Sequence, residues 1–127
     1  MEKLIISAKV DTPYVCFDEI TGVFEISGKS LPEDALKFYK PVLSWIEEYM
    51  RSPRDLTTLD LKFVYVNTAS SKMVIEIINL FVKSKHPKKE LRINWHYKRE
   101  DEEQREEGED YSEMVNYPFN FVEYIKF

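Results

Sequence analysis

The chain has 127 residues, with 18 Lys and Arg against 23 Asp and Glu, which gives a formal net charge of −5. Hydrophobic residues make up 43% of the chain, which excludes wholesale disorder, and only three glycines and six prolines exclude collagen-like and low-complexity sequences. The length predicts a single domain over residues 1–127 that can bury one sizeable core.

The first third of the chain predicts short strands. Residues 4–10 form a short apolar run, and residues 14–17 and 23–27 form two β-rich runs that share one connecting loop. The loop ends in Gly22, which can adopt the positive φ that such turns often need. We therefore expect a hairpin preceded by one further strand.

A helix is predicted next. Ser30-Leu31-Pro32-Glu33 has the spacing of a capping box, with Ser30 as the expected N-cap and Glu33 reaching back to its amide. Apolar residues then recur at three- and four-residue steps, at Ala35, Tyr39, Val42, Ile46 and Tyr49. Pro41 lies inside this pattern and predicts a kink, or a restart of the helix near Lys40.

The second half of the chain alternates strands and helices. Residues 58–66 and 91–97 alternate apolar and polar side chains and predict strands, and a helix is expected after residues 67–71. Residues 119–125 predict a last strand. The order β-β-β-α-β-α-β indicates an α/β fold of the α+β-like kind: a mixed sheet with helices mainly on one face, because two strands keep a polar side.

The acidic excess is confined to one late segment. Residues 98–113 contain nine acids and three bases, a net charge of 3 − 9 = −6, and the rest of the chain has 15 bases and 14 acids, or +1. We expect this segment to form a solvated, partly helical flap, and not an active site. The body of the protein is close to neutral.

Several functional classes are disfavoured by what the sequence lacks. A basic face for nucleic acid is not evident, and no apolar run approaches the length of a membrane span. Cys16 is the single cysteine, so no internal disulfide forms, and with two scattered histidines it cannot build a structural zinc site. These features predict a cytoplasmic protein without a metal or another cofactor.

The junction between the strand at residues 58–66 and the following helix is the most informative stretch. Asn67, Thr68, Ser70, Ser71 and Lys72 lie where a central strand ends and a helix begins, and open α/β sheets tend to place sites there. Free amides and the positive end of the helix dipole favour an anion at such a position. A phosphate on Thr68 or Ser70 would carry about −1.5 to −2 charges and could interact with those amides.

The simpler interpretation of the same residues is helix capping, since Asn, Thr and Ser are ordinary N-caps. The two interpretations are compatible, because a hydroxyl at a cap can also be a modification target. A small enzyme that uses Thr68 or Ser70 as nucleophile would need a general base nearby. His86 or His96 within hydrogen-bond reach of either hydroxyl would support it, and the local sequence offers no candidate.

Several segments, taken together in this order, resemble the SiaC-like regulatory phosphoproteins, a bacterial family once catalogued as a domain of unknown function. The resemblance is carried by residues 12–18 followed by 22–33, by Phe38-Tyr39 with Pro41-Val42-Leu43 and Trp45-Ile46, by residues 63–72, and by Gly108-Glu109-Asp110-Tyr111 with Pro118-Phe119. It covers nearly the whole sequence. It implies a fold similar to STAS domains, the class of anti-sigma-factor antagonists.

The resemblance also implies a function. The phosphorylated threonine of the family falls on Thr68, and Asn67, Ser70, Ser71 and Lys72 would form the loop that faces the partners. In the family, a kinase of the anti-sigma-factor type adds the phosphate and a metal-dependent PPM-type phosphatase removes it. The unmodified protein binds and activates a diguanylate cyclase, which raises cyclic di-GMP and favours aggregation or biofilm growth.

The leading hypothesis is therefore a non-enzymatic signalling switch with Thr68 as the modified residue. The alternative is a STAS-type antagonist that binds an anti-sigma factor and controls transcription by partner switching. The same switch residue would serve both functions, and only the partner would differ.

Overall fold

The structure is a computed structural model, and it describes residues 1–125. Strands and helices follow the predicted order, with one further helix near the end. The elements are β1 (Leu4–Ile6), β2 (Tyr14–Asp18), β3 (Val23–Ser30), α1 (Ala35–Tyr49), β4 (Leu56–Val66), α2 (Thr68–Ser84), β5 (Glu90–Lys98), α3 (Glu102–Val115) and β6 (Asn120–Tyr124).

The strands form one mixed sheet in the order β1-β2-β3-β4-β5-β6. The first three strands pair antiparallel, and β3 to β6 pair parallel. The hairpin between β2 and β3 turns at Gly22, whose φ of +72° lies in the left-handed region, as predicted. Each parallel step is crossed by one helix, and right-handed crossovers that advance in one direction place all three helices on the same face. The predicted fold class is confirmed.

Alternation along β4 separates the core from the open face of the sheet. Leu59, Leu61 and Phe63 are buried beneath the helices, whereas Asp60 and Lys62 are half-buried on the opposite side. The helix-covered face contains the large buried side chains, led by Trp95, Tyr39, Tyr49, Phe17 and Phe24. Cys16 is half-buried and lies on the open face, opposite Glu25.

The start of α1 differs from the prediction. Asp34 is the N-cap, and its side chain accepts a hydrogen bond from the amide of Lys37, so the predicted capping role of Ser30 is wrong. Ser30 is instead the last residue of β3 and is fully buried. Pro41 lies inside a continuous helix without the predicted restart, because it is on the exposed side, where water can satisfy the carbonyl that loses its donor.

Most of the acidic segment is helical, in agreement with the partly helical prediction, but this helix packs on the core and does not form a solvated flap. Gln104, Gly108, Tyr111 and Val115 of α3 are buried, and the phenol ring of Tyr111 packs edge-on against Trp95. The acids of α3 are exposed except for half-buried Glu107, and Glu102 and Glu103 in its first turn suit the positive end of the helix dipole. Within the described residues, no helix combines the length and apolar character needed to cross a bilayer.

Candidate functional site

A single residue, Asn67, separates the end of β4 from the start of α2, and Thr68 is the first residue of that helix. Asn67 is the N-cap, with an extended backbone, and its Oδ1 accepts a hydrogen bond of 2.8 Å from the amide of Ser70. The amides of Thr68 and Ala69 precede the first intrahelical hydrogen bond and so lack a helical acceptor. Both residues are exposed. The Thr68 hydroxyl is thus presented at the positive end of a 17-residue helix.

The five predicted site residues separate into three environments. Thr68 and Lys72 are exposed and lie one turn apart on the same side of α2, since residues four apart are neighbours on a helix. Asn67 and Ser71 are half-buried, and the Ser71 hydroxyl donates to the carbonyl of Thr68 at 2.9 Å. Ser70 is fully buried. A kinase can therefore reach Thr68 on the folded protein but not Ser70.

Ser70 takes part in a chain of buried hydroxyl groups that the sequence did not predict. Oγ of Ser30 donates to Oγ of Ser70 at 2.9 Å and lies 2.6 Å from Oη of Tyr39. The backbone carbonyl of Ser30 also accepts a hydrogen bond from the amide of Asn67 at 3.0 Å. Periodicity had marked Tyr39 as a core residue, but no local pattern pairs two serines that are 40 residues apart.

A groove of about 1130 Å³ opens beside Thr68, between the first turns of α1 and α2. Its apolar lining comes from Ala35, Leu36, Phe38, Ala69 and Met73, and its charged lining comes from Glu33, Asp34, Lys37 and Lys72. Two carboxylates and two ammonium groups cancel, so the groove carries no net charge. Leu36 is 62% exposed, which leaves an apolar side chain available to a partner at the edge of the groove.

The opposite side of the start of α2 contacts α3. Tyr111 donates a hydrogen bond of 2.7 Å to the Glu107 carboxylate. Burial raises the pKa of the Tyr111 phenol, and the hydrogen bond to Glu107 raises it further, while a contact with the Ser71 hydroxyl opposes the rise. Burial also raises the pKa of Glu107. The site is thus held between α1 on one side and the acidic helix on the other.

Neither histidine lies within hydrogen-bond reach of the Thr68 or Ser70 hydroxyl. His96 pairs with Asp60 at 3.1 Å on the open face, and the sheet separates that face from the helices. Nδ1 of His86 accepts a hydrogen bond from the amide of Lys88 beyond the far end of α2, roughly 25 Å from Thr68 at 1.5 Å per residue. Within residues 1–125, no group of three or more His, Cys, Asp or Glu side chains is arranged to hold a metal ion.

Comparison with known proteins identifies relatives over almost the entire chain. A family model described as SiaC family regulatory phosphoprotein matches residues 6–124. An uncharacterised protein of Pseudomonas aeruginosa strain UCBPP-PA14 is 29% identical over 119 residues, which is 94% of this chain and 94% of that protein.

Solved structures agree with this match. Apo-SiaC from Pseudomonas aeruginosa superposes with a TM-score of 0.86 at 26% identity, covering 96% of this chain and 99% of that one. A chain in the crystal structure of the diguanylate cyclase SiaD with its activator SiaC, from the same bacterium, superposes with a TM-score of 0.88. That match has 27% identity and covers 95% of this chain and 99% of that one.

Proposed function

Because this chain belongs to the SiaC family of regulatory phosphoproteins, we propose that it is a non-enzymatic cytoplasmic switch controlled by reversible phosphorylation of Thr68. In its unmodified form it binds and activates a diguanylate cyclase, which raises cyclic di-GMP and promotes aggregation or biofilm growth. A kinase of the anti-sigma-factor type adds the phosphate, and a PPM-type phosphatase removes it.

The observation that carries this proposal is the position of Thr68. Thr68 is exposed, is the first residue of α2, and adjoins a groove with a partly apolar lining and no net charge. A surface that is partly apolar and whose charges balance offers contact area to a partner without a net electrostatic repulsion. The unmodified site therefore has the character expected of a protein-binding surface.

Phosphorylation would change that character by local electrostatics. A phosphate on Thr68 carries about −1.5 to −2 charges at neutral pH, so the edge of the groove would become strongly negative. Lys72, one turn along α2, could pair with the phosphate, but an exposed ion pair contributes only about 0 to 1 kcal/mol and would not restore neutrality. A partner would then face a charge that must be desolvated, and its affinity should fall.

The choice of a cyclase over an anti-sigma factor as the partner is supported by the relatives. The Pseudomonas aeruginosa structure at 27% identity contains the cyclase SiaD bound to its activator SiaC. Both proposed partners would use the same exposed residue, so the fold alone does not separate them. The experiment must therefore measure cyclase output directly.

The test combines labelling and activation. Wild type, Thr68→Ala and Ser44→Ala are incubated with ATP and a cognate kinase of the anti-sigma-factor type, and the phosphate is mapped by mass spectrometry. Ser44 is an exposed hydroxyl on α1 and serves as the matched control. We expect wild type and Ser44→Ala to be labelled at Thr68, and Thr68→Ala to stay unlabelled.

Cyclase activation is then measured with each protein before and after labelling. Labelled wild type should lose activation, whereas Thr68→Ala should activate whether or not the kinase is present. Labelling of Thr68→Ala at the wild-type level would contradict the assignment of the residue. A cyclase that responds equally to labelled and unlabelled wild type would contradict the switch.

A further inference from the structure

Three buried hydroxyl groups connect β3, α1 and α2, and the one on α2 belongs to Ser70, two residues after Thr68. Tyr39, Ser30 and Ser70 are all 0% exposed, and their oxygens are linked over 2.6 Å and 2.9 Å. Burial raises the pKa of Tyr39 to about 12, so its phenol stays protonated at neutral pH and is able to donate. The Ser30 hydroxyl has a single proton, which it donates to Ser70, so Tyr39 must donate to Ser30. The donors therefore run in one direction, from Tyr39 through Ser30 to Ser70.

Ser30 also binds Asn67, the residue that precedes Thr68. The Ser30 carbonyl accepts from the Asn67 amide at 3.0 Å, and the Ser30 hydroxyl donates to Ser70. Asn67 and Ser70 are in turn joined by the capping hydrogen bond of 2.8 Å. The Asn67 backbone and the Ser70 side chain, on either side of Thr68, are therefore both bonded to the end of β3, while Thr68 itself is exposed.

These hydrogen-bonded hydroxyl groups also join the two walls of the groove. Tyr39 belongs to α1 and Ser70 to α2, and the first turns of these helices line the groove beside Thr68. A core of the same volume could be built without hydroxyls, because the net stability gained from a neutral buried hydrogen bond is small. Hydrogen bonds are directional, so unlike apolar contacts they fix the orientation of the elements that they join. A reacting group that is slightly misplaced lowers the reaction rate markedly.

We propose that Tyr39, Ser30 and Ser70 are positioning residues that hold Thr68 and both walls of the groove in the arrangement recognised by the kinase and by the effector. This inference rests on the proposed function and adds the device that makes the site recognisable. It assigns no contact with substrate to any of the three side chains, since all are buried.

The chain offers a matched control for the test. Tyr49, at the other end of α1, is 1% exposed, and its Oη lies 2.7 Å from Oγ1 of buried Thr57. It also accepts a hydrogen bond from the amide of Arg54. Tyr49→Phe therefore removes the same atom from the same helix at a buried site far from Thr68. The two variants Tyr39→Phe and Tyr49→Phe should lose comparable thermal stability.

Phosphorylation kinetics at a temperature well below both midpoints separate positioning from stability. We expect Tyr39→Phe to lower kcat/KM for Thr68 by about tenfold, mainly through KM, and Tyr49→Phe to leave it within twofold of wild type. Ser70→Ala, which keeps the capping amide, should behave like Tyr39→Phe. The double variant Tyr39→Phe with Ser70→Ala should lose little more kcat/KM than either single variant, because both substitutions break the same series of hydrogen bonds.

Equal kinetics for Tyr39→Phe and Tyr49→Phe, with Ser70→Ala also unchanged, would overturn the inference. Failure of the wild type to be labelled at all would instead contradict the proposed function. If Ser70→Ala does not fold, the comparison of the two tyrosine variants still decides between positioning and general stability.

Discussion

A Cβ atom added to Gly108 would lie 2.4 Å from Cδ1 of Trp95, so α3 approaches β5 at a point where only a hydrogen atom fits. Nε1 of the buried indole donates a hydrogen bond of 2.9 Å to the carbonyl of Gln104, one turn earlier in the same helix. These two contacts explain how a segment with a net charge of −6 becomes part of the folded core.

Gly108→Ala should therefore destabilise the protein by about 2 kcal/mol, since overpacking costs about 1 to 3 kcal/mol even though alanine favours helices. Chemical denaturation measures the effect. Glu106→Ala, at an exposed position of α3, is the control and should be nearly neutral or slightly stabilising. A Gly108→Ala variant as stable as wild type would contradict the close approach of the helix to the indole.

Substitution of Gln104 should raise stability. Its Nε2 is buried, and within residues 1–125 it has no hydrogen-bond partner, which costs about 1 to 3 kcal/mol. Gln104→Met keeps the length of the side chain and removes the unpaired group, so we expect a gain of about 1 kcal/mol in the free energy of unfolding. Gln104→Glu places a carboxylate at the same site and should lower stability. A loss in both variants would indicate that the amide has a partner.

The open face predicts a pH dependence. A hydrogen bond from His96 lowers the pKa of Asp60, helped by one from Asn94 and opposed by burial. A carboxyl group whose pKa is lower in the folded state adds stability above its unfolded pKa of about 3.9, and loses it as the pH falls through the folded value. Asp60→Asn should thus be less stable than wild type at pH 7, by about 1 kcal/mol.

That difference should shrink as the pH falls below about 4, which urea denaturation between pH 7 and pH 2.5 measures. In a His96→Ala background the trend should weaken, because the main cause of the lowered pKa is absent. A difference that stays constant over the whole range would be inconsistent with the Asp60–His96 pair.

Substitutions at the N-cap of α2 and at the proposed modification site should have different effects on the stability of the protein. Asn67→Ala removes the acceptor of the Ser70 amide and should cost about 1 kcal/mol, whereas Thr68→Ala at an exposed position should stay within about 0.5 kcal/mol of wild type. Thermal unfolding of the two variants tests this. A large loss in Thr68→Ala would mean that its functional effects reflect folding.

The groove predicts a contact for the effector. Leu36 is 62% exposed at its edge, so Leu36→Ala should weaken cyclase binding by about fivefold or more without changing stability. Ile20, which is 76% exposed in the turn between β2 and β3, provides the matched control. Titration of the cyclase by calorimetry measures both. Equal binding by Leu36→Ala and Ile20→Ala would place the effector elsewhere on the surface.

Much of the architecture was predictable because its causes are local. The alternation of Leu59, Leu61 and Phe63 depends only on the two-residue period of a strand, and the apolar stripe of α1 depends only on the helical period. The turn at Gly22 depends on the backbone freedom of a single residue. The family resemblance was likewise confirmed by a match over residues 6–124. Phosphorylation of Thr68 stays a prediction.

The two errors at Ser30 and in the acidic segment share a different cause, since each involves residues that are distant along the chain. The spacing of Ser30 and Glu33 fits a capping box, but burial of Ser30 against Tyr39 and Ser70 placed it at the end of β3 and left the cap to Asp34. The charges of α3 predict a solvated flap, and a narrow stripe centred on Gly108 was enough to pack it.

The sequence by itself therefore determined the order of the strands and of the first two helices, the single helix-covered face of the sheet, and the position of Thr68 at a strand-to-helix junction. Backbone propensity and periodicity act over a few residues, and these features need nothing more. Only the tertiary structure decided which hydroxyls are buried beside that threonine and how closely the acidic helix approaches Trp95. Those contacts join residues as far apart as Ser30 and Ser70, and they form only when packing brings the separate elements together.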